Sequence, residues 1–285
     1  MTYEQLPSAL SPIVQRDLDA NVVIGEVFSG YFNSPEKAAV FCELGVSGIQ
    51  HMLPQSLRAA DFGGGDGYLA ASIRDYLASQ GKTTDFFVVD GNESYLALAE
   101  RKGLTAVHTD LTAATIDNLD LVVSRATFHY NSLDAQAAIL DRVRESLTPN
   151  GFFVNQISSG DRYNTALRND ISALPSLDRA SKGSIHFVTP DEYISMTAGA
   201  GLETLLVGYA PANSWTPEEM FDRFHPHQDG EAQFGDNAPR TVFLRECMAL
   251  IRDYTDSTSI EGITFSEDSV RVEYQYPIFV SRLAA

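Results

Sequence analysis

A glycine-rich turn follows the first buried-strand pattern of the chain, and its residue types allow the main chain to contact a ligand. The run RAADFGGGDGYLA spans residues 58–70, and in it Asp61 is followed by Gly63, Gly64, Gly65 and Gly67. Glycine has no side chain and accepts positive φ, so the backbone of such a turn can approach a ligand closely. The apolar spacing after the turn predicts a helix that Gly81 closes. Strand, glycine turn and helix start together indicate a nucleotide-binding corner of an open α/β sheet.

Two more carboxylates end the strand patterns that follow. Asp90 ends the continuous apolar run at 85–90, which is typical of a parallel strand buried on both faces. Asp110 follows a shorter strand pattern around 106–108. Because ligands bind at the carboxyl ends of such strands, Asp90 is placed to accept two ribose hydroxyls. Asp110 is placed to accept a hydrogen bond from the exocyclic amine of a purine.

Two cofactor classes fit the glycine turn. Residues 65–70 match the G-x-G-x-x-A pattern of NAD- and FAD-binding turns. However, Asp61 lies just ahead of the glycines, where a carboxylate would repel the pyrophosphate of a dinucleotide. Acids at three successive strand ends suit a cationic nucleoside better. Because of the G-x-G-x-x-A match, an NAD(P)-dependent oxidoreductase is nevertheless kept as the first alternative.

In these residues the chain resembles the class I S-adenosylmethionine-dependent methyltransferases, of the type that acts on small molecules. The pattern Asp61-x-Gly63-x-Gly65-x-Gly67 is similar to their glycine motif, which holds the methionine end of the cofactor. Asp90 and Asp110 resemble their ribose-binding acid and their adenine contact. The resemblance implies S-adenosylmethionine as cofactor and S-adenosylhomocysteine as product. Four neighbouring residues complete the expected cofactor site, namely Gly91, Leu111, Ser124 and Arg125.

The resemblance also implies the fold, which is a Rossmann-like α/β domain. Its sheet is expected to have seven mostly parallel strands, with the last strand antiparallel. The alternation of strand and helix patterns up to residue 157 independently predicts a parallel sheet. We expect residues 1–57 to form a helical N-terminal cap and residues 58–285 to form the S-adenosylmethionine-binding domain. Within that domain, 211–269 is predicted as an insert that forms a lid or pocket wall before the last strand.

His129 is the best-placed candidate for acid–base chemistry. It follows the strand pattern at 119–124, at the edge where ligands bind in such sheets. A free imidazole titrates near neutral pH, which suits a general base. The segment 126–151 resembles the stretch of small-molecule O-methyltransferases in which this histidine is the base, although Tyr130 and Asn131 stand near a tryptophan position of that family. Orientation of the substrate and a structural role are the alternatives for His129, and Tyr130 is the alternative polar group.

Aromatic residues in two segments are candidates for the substrate site. Trp215, Phe221 and Phe224 lie in the polar insert, where they either line the pocket or pack the insert onto the body. Tyr31 and Phe32 lie in the cap, placed to close over the cofactor. Aromatic faces in the pocket would suit an aromatic or cationic substrate.

Composition excludes several classes of partner. The 285 residues include 20 basic and 38 acidic side chains, a net charge of −18, whereas nucleic-acid-binding proteins present basic faces. No Asn-Pro-Pro-Tyr motif follows the fourth strand pattern, which also disfavours nucleic-acid and protein amino methylases. Cys42 and Cys247 are too few for a disulfide framework and fit a reducing cytoplasm. No apolar run approaches the about 18 residues of a membrane span, and residues 1–20 carry no secretory pattern.

The sequence therefore predicts a cytoplasmic S-adenosylmethionine-dependent methyltransferase of specialised metabolism, acting on a small molecule, with no nucleic-acid or membrane partner. O-methylation is favoured because of His129, and N- or C-methylation are the alternatives within the same fold. A protein that binds S-adenosylmethionine without transferring methyl is the second rival. The His225-Pro226-His227 run has no evident third ligand, so no metal is predicted. The oligomeric state stays open, a homodimer included.

Overall fold

The computed structural model of the chain describes residues 33–177, 185–224, 238–266 and 269–284. Tyr31, Phe32, His225 and His227 lie outside these ranges, as does more than half of the segment predicted as the N-terminal cap. Within the described ranges, no helix combines the length and the apolar content that crossing a membrane requires.

One sheet organises the described part of the chain. Its strands are β1 (Ser56–Phe62), β2 (Thr83–Asp90), β3 (Thr105–His108), β4 (Leu119–Arg125), β5 (Leu147–Gln156), β6 (Leu202–Trp215), β7 (Ile263–Phe265) and β8 (Val270–Leu283). The order is β3-β2-β1-β4-β5-β8-β6, with β7 paired to β8 off this path. β1 to β5 run parallel, and β8 lies antiparallel between β5 and β6. The predicted Rossmann-like sheet with an antiparallel last strand is confirmed, and the short β7 is an addition to it.

The strand order changes direction between β1 and β4, and this defines the ligand-binding edge. Asp61 on β1 pairs with Val88 of β2 on one side and with Val123 of β4 on the other. In open α/β sheets, ligands bind in the crevice at such a switch point, outside the carboxyl ends of the strands. Asp90 and Arg125 end the two flanking strands, so both border this crevice.

Helices cover both faces of the sheet. They are α1 (Pro35–Phe41), α2 (Tyr68–Ser79), α3 (Glu93–Arg101), α4 (Leu133–Ser146), α5 (Arg162–Ser172), α6 (Pro190–Gly199), α7 (Pro217–Phe224) and α8 (Ala238–Ser257). One apolar core lies under α1, α2, α3 and the π-helical turn Cys42–Val46, and it includes Phe41 and Leu96. A second core lies on the other face under α4 and α6, with Ile139 and Tyr193. Burial on both faces explains why the interior strands are apolar throughout.

Side-chain caps determine where several helices begin. Ser34 caps α1 and Asn92 caps α3, each through a side-chain oxygen that accepts backbone N–H groups. Thr189 and Glu192 form a reciprocal capping box at the start of α6. Such bonds satisfy N–H groups that a helix start leaves without intrahelical partners. These contacts place the starts of α1, α3 and α6 directly after Ser34, Asn92 and Thr189.

The segment predicted as an irregular insert is more regular than its sequence indicates. β6 continues to Trp215, past the predicted start of the insert at residue 211, and α7 and α8 follow it. Pairing with β8 keeps this polar stretch extended, although its own pattern predicts a loop. Helices α5, α7 and α8 and the first half of β8 enclose a third apolar core, which includes Leu167, Met220 and Phe243.

The sequence places Pro277 in the last strand, which predicts a bulge or an edge position, and the edge position is wrong. β8 lies inside the sheet, with β5 and β6 on either side. The irregularity is in β6, whose register shifts between Ala210 and Asn213. Pro277 pairs with Tyr209 close to this shift, and its carbonyl accepts the N–H of Ile157 at 3.1 Å. Because proline has no N–H to donate, it fits best beside an interrupted ladder.

Gly45 marks a close approach of the π-helical turn to the sheet. A Cβ at this position would lie 2.5 Å from Val154 Cγ1 and 3.2 Å from Ile278 Cγ2. We expect Gly45→Ala to lower the free energy of unfolding by about 1–3 kcal/mol, because an added methyl in a packed core forces its neighbours apart. Gly48→Ala is the matched control, since no heavy atom lies within 4 Å of its Cβ position. Urea unfolding measures both variants, and equal stabilities would contradict the prediction.

Candidate active site

Positive φ angles and close packing shape the glycine turn. Gly63, Gly65 and Gly67 have φ values of 75°, 54° and 78°, in a region that residues with a Cβ seldom adopt. A Cβ on Gly67 would lie 2.5 Å from Leu104 Cδ1, and one on Gly63 would overlap the side chain of Thr127. Packing within the protein therefore explains the absence of side chains at Gly63 and Gly67.

Gly65 is different, because no described part of the protein fills the space that a side chain would take. No heavy atom lies within 4 Å of its Cβ position, and the same holds for Gly91 after β2. The Gly65 N–H donates to Asp90 Oδ2 at 2.9 Å, and the Asn92 N–H donates to Asp90 Oδ1 at 2.9 Å. The carboxylate of Asp90 thus ties the turn to the end of β2. Gly65, Asp90 and Gly91, three of the predicted cofactor residues, therefore lie together beside open space.

Asp61 lies against the turn and is only 1% exposed. Burial raises the pKa of its carboxyl to about 7, against the opposing attraction of the Arg125 guanidinium. A Cβ on Gly64 would lie 2.7 Å from Asp61 Cγ, so the bare glycine makes room for the carboxyl group. The Oδ2 atom of Asp61 is buried and has no hydrogen-bond partner among the described residues. A buried polar atom of this kind is suited to a donor that a ligand supplies.

Arg125, Tyr68 and Gln156 extend the polar part of the site. Burial lowers the pKa of Arg125, and the charges of nearby Asp61 and Tyr68 oppose that change. Gln156 pairs with Arg125 across β4 and β5 and is buried. Within the described ranges, the Tyr68 hydroxyl and Gln156 Oε1 are buried without hydrogen-bond partners. Sequence reasoning missed both residues, although a glutamine at the end of a buried strand was a signal for Gln156.

Asp110, Leu111 and Ser124 lie at the predicted strand ends and make structural contacts there. Asp110 Oδ1 accepts both the hydroxyl and the N–H of Thr112, and these bonds lower the pKa of the Asp110 carboxyl. Leu111 begins the short 3-10 turn that Asp110 caps, and its side chain joins the second core. The Ser124 hydroxyl donates to the Phe62 carbonyl at 2.8 Å and so joins β4 to β1. The exposed Asp110 keeps its second oxygen for other partners.

His129 is 7% exposed and lies in the 3-10 turn Phe128–Tyr130 after β4. Its ring stacks on Phe187, with centroids 5.1 Å apart and planes inclined by 15°. Tyr130 packs against His129 at 4.2 Å between centroids and is itself half-exposed. Between β4 and this turn, Ala126 has φ 55°, which is strained for a residue with a Cβ. Strain of this kind at a ligand-binding edge supports a functional role for the turn.

The aromatic residues of the insert have different surroundings. Phe221 packs on Phe243 at 5.3 Å in the third core and is mostly buried. Trp215 meets Tyr274 edge to face at 6.4 Å, and Tyr274 in turn meets Phe187. The side chain of Phe224, the last residue of α7, lies outside what the structure describes. A series of aromatic contacts therefore connects Trp215 to the Phe187 ring that stacks on His129.

The described residues assemble neither a metal site nor a reactive thiol. No group of three or more histidine, cysteine, aspartate and glutamate side chains in those ranges is arranged to hold a metal ion. Cys42 and Cys247 are both free and buried. Burial raises the pKa of each thiol to about 12, so neither has thiolate character at neutral pH.

Known proteins resemble this chain in fold, and one family model matches part of its sequence. Residues 60–153 match a family model described as a methyltransferase domain. A proposed methyltransferase from Bacillus halodurans aligns at a TM-score of 0.63 and 14% identity, over 87% of this chain and 99% of that one. An S-adenosylmethionine-dependent methyltransferase from Clostridium acetobutylicum aligns at 0.54 and 11% identity, over 94% and 100% of the two chains. Comparison with curated proteins gave no significant match.

A third solved structure shares the fold and contains a cofactor product. Geranyl diphosphate C-methyltransferase from Streptomyces coelicolor, in complex with Mg²⁺, geranyl diphosphate and S-adenosylhomocysteine, aligns at a TM-score of 0.51 and 12% identity, over 98% of this chain and 86% of that one. The fold, the glycine turn and the family match define residues 60–153 as a methyltransferase domain. The chain therefore carries a methyltransferase domain at residues 60–153, and the resemblance to the class I S-adenosylmethionine-dependent methyltransferases is confirmed.

Gly65→Ala tests whether the open space beside the turn is the cofactor site. The added methyl would project into that space, so we expect the affinity for S-adenosylhomocysteine to fall by at least about tenfold, or 1.4 kcal/mol. Gly103→Ala is the matched control: Gly103 also has a positive φ, 73°, and its Cβ position meets only Arg74 Nη1 at 3.7 Å. Isothermal titration calorimetry measures both variants. Equal losses of affinity in the two would show that backbone strain, rather than lost ligand space, is the cause.

Asp61→Asn tests the buried carboxyl through the pH dependence of stability. The pKa of Asp61 is raised to about 7 by burial, so its stabilising contribution is complete below the ordinary carboxyl pKa and is lost as pH rises through 7. The asparagine variant does not ionise. We therefore expect it to gain roughly 2–4 kcal/mol of stability relative to the wild type between pH 4 and pH 8, since one pKa unit is about 1.4 kcal/mol. Denaturant unfolding at several pH values measures this difference, and a constant difference would refute the raised pKa.

Proposed function

We propose that the protein transfers the methyl group of S-adenosylmethionine to a small-molecule acceptor, with O-methylation favoured and His129 as the general base. One observation carries the proposal: the turn that holds His129 is bonded directly to the glycine turn. The Thr127 hydroxyl, two residues before His129, donates to the Gly63 carbonyl at 3.1 Å. An imidazole and a cofactor loop joined in this way are placed to act on the same bound pair of reactants.

The chemistry divides between the cofactor and the chain. S-adenosylmethionine, when bound, supplies an electrophilic methyl on a positively charged sulfur. The chain aligns the acceptor with that methyl, and alignment of this kind is worth about 7–11 kcal/mol of a reaction barrier. His129 would accept the hydroxyl proton of the acceptor when that oxygen is methylated. Burial of the imidazole keeps water from competing for that proton.

The residues at the strand ends fit the parts of this cofactor. Asp61, with its buried Oδ2, suits the ammonium of the methionine end, and the Arg125 guanidinium suits its carboxylate. Tyr68 and Gln156 add buried polar atoms at the same place. Asp90, beside Gly65 and Gly91, is assigned to the ribose hydroxyls. Asp110 and Leu111 are assigned to the adenine.

The remaining expectations concern the acceptor. Trp215 is assigned to the substrate wall because aromatic contacts connect it to the His129 region, whereas the contacts of Phe221 favour packing of the insert. Residues 211–269 serve as the lid and 1–57 as the cap over the 58–285 domain. A net charge of −18 favours a small neutral or cationic acceptor over a nucleic acid. Cytoplasmic location and a role in specialised metabolism complete the proposal.

The acceptor atom is the part that the fold leaves open. A C-methyltransferase from Streptomyces coelicolor has the same fold, so N- and C-methylation stay as alternatives to O-methylation. The decisive experiment incubates the protein with S-adenosylmethionine and panels of phenolic, enolic and amine acceptors. Mass spectrometry then detects product heavier by one CH₂. Binding of S-adenosylhomocysteine with no methylated product from any panel would favour the non-methylating alternative.

His129→Gln tests the base. We expect kcat to fall by about 10²–10⁴-fold, the usual contribution of a general base, while the affinity for S-adenosylhomocysteine is retained. Raising the pH should partly restore turnover of a phenolic acceptor, because solvent then ionises the hydroxyl. His51→Gln is the control, since His51 lies in an exposed turn before β1. Wild-type turnover in His129→Gln would rule out the base assignment.

A further inference from the structure

The Phe187 ring is held between an imidazole and a guanidinium. His129 stacks on this ring at 5.1 Å between centroids, and Arg168 Cζ lies 3.9 Å from the same centroid. Phe187 is 4% exposed, so the ring is enclosed by the protein. The orientation of the His129 imidazole therefore depends on where the Phe187 ring is held.

Arg168 is held by two hydrogen bonds and by contacts with two aromatic rings. It is 0% exposed, and its Cζ also lies 3.7 Å from the Tyr274 ring centroid. Its Nη1 donates to the Ser159 carbonyl and its Nη2 donates to Ser158 Oγ at 2.7 Å. Withdrawing a guanidinium from water costs several kcal/mol unless hydrogen bonds and cation–π contacts offset the loss. Arg168 is therefore a buried charge between two aromatic side chains, Phe187 and Tyr274.

The next residue of α5 fixes the backbone of the same phenylalanine. The Phe187 N–H donates to Asn169 Oδ1 at 2.7 Å, and Asn169 Nδ2 donates to the Phe187 carbonyl at 3.0 Å. The His186 N–H donates to the His129 carbonyl at 2.9 Å. Arg168 thus contacts the ring of Phe187, and Asn169 binds its main chain. Phe187 in turn contacts the ring of His129, and its neighbour His186 binds the main chain of His129.

We propose that Arg168 and Asn169 are positioning residues for methyl transfer, which hold the His129 imidazole in its working orientation through Phe187. Neither residue touches the acceptor in this account. The inference rests on the proposed role of His129 as base. It goes further in naming α5, which follows β5 and lies outside the strand-end motifs, as the element that sets the direction of the base.

The first test measures the imidazole itself and needs no acceptor. In ¹³C-histidine-labelled protein, a His129→Gln spectrum assigns the His129 ring signal of the wild type. We expect Phe187→Leu to change the chemical shift of that signal, because the ring current of Phe187 is lost, and Phe187→Tyr to retain it. Arg168→Met should move or broaden the signal, because the Phe187 ring then loses its support. An unchanged His129 signal in Arg168→Met overturns the proposal.

Asn169→Ala is a second test of the proposal, and it leaves the buried Arg168 side chain in place. Asn169 is only partly buried, so this variant is expected to fold and to broaden the His129 signal through the freed Phe187 backbone. Phe86→Leu is the matched control for Phe187→Leu, because Phe86 is 3% exposed and lies on β2, away from His129. A change of the His129 signal in Phe86→Leu equal to that in Phe187→Leu would indicate general core damage and would overturn the proposal.

The second test measures turnover of an acceptor that the wild type methylates. Misplacement of a catalytic group costs up to about a hundredfold, so we expect kcat to fall by about tenfold to a hundredfold in Arg168→Met, with KM for S-adenosylmethionine nearly unchanged. Phe187→Tyr should restore most of the turnover lost in Phe187→Leu. A displaced His129 signal with wild-type kcat overturns the positioning role. Wild-type kcat in His129→Gln overturns the base assignment instead, so the two failures are distinguishable.

Discussion

The architecture depends on one steric constraint, which is that backbone without side chains must pass between β1 and α2. Thr127 fills the space beside Gly63, the carboxyl group of Asp61 fills the space beside Gly64, and Leu104 fills the space beside Gly67. Among the glycines of this turn, only Gly65 faces space that the described protein leaves open. The turn is therefore a packed structure with one unfilled position, and that position adjoins Asp90 at the end of the neighbouring strand.

Three buried side chains near this turn, those of Asp61, Tyr68 and Gln156, each have a polar atom without a hydrogen-bond partner among the described residues. Asp61 is held in a water-excluded place that raises the pKa of its carboxyl, and the Arg125 guanidinium moderates that effect. A buried polar atom without a partner normally costs stability, so Asp61 Oδ2, the Tyr68 hydroxyl and Gln156 Oε1 fit a binding site better than a core. The same edge carries the strained Ala126 and the His129 turn. The protein thus stores local strain and unsatisfied polarity where its cofactor and substrate are expected to meet.

The His129 side of the site is built differently. Its surroundings come from α5, from the segment that contains Phe187, and from β8 through Tyr274. Pairing between β6 and β8 brings Trp215 towards Tyr274 and so brings the insert to the same region. Most of these contacts join residues more than fifty positions apart in the chain, and Arg168 and Tyr274 are 106 positions apart. The cofactor side is made by local motifs and the acceptor side by long-range packing, so acceptor preference can change while the glycine turn stays the same.

Local physics explains what the amino-acid sequence determined by itself. Glycine spacing, strand-end acids and alternating strand and helix patterns act over a few residues, so they predicted the parallel sheet and the strand-end positions of Asp61, Asp90 and His129. The methyltransferase class followed from the resemblance of these motifs to a known family. Only the tertiary structure decided the extended end of β6, the burial of Tyr68 and Gln156, and the capping contact of Asp110 with Thr112. It alone brought Arg168 to the face of Phe187, because a buried guanidinium is recognisable only when the aromatic rings and carbonyl groups that stabilise it have been assembled around it.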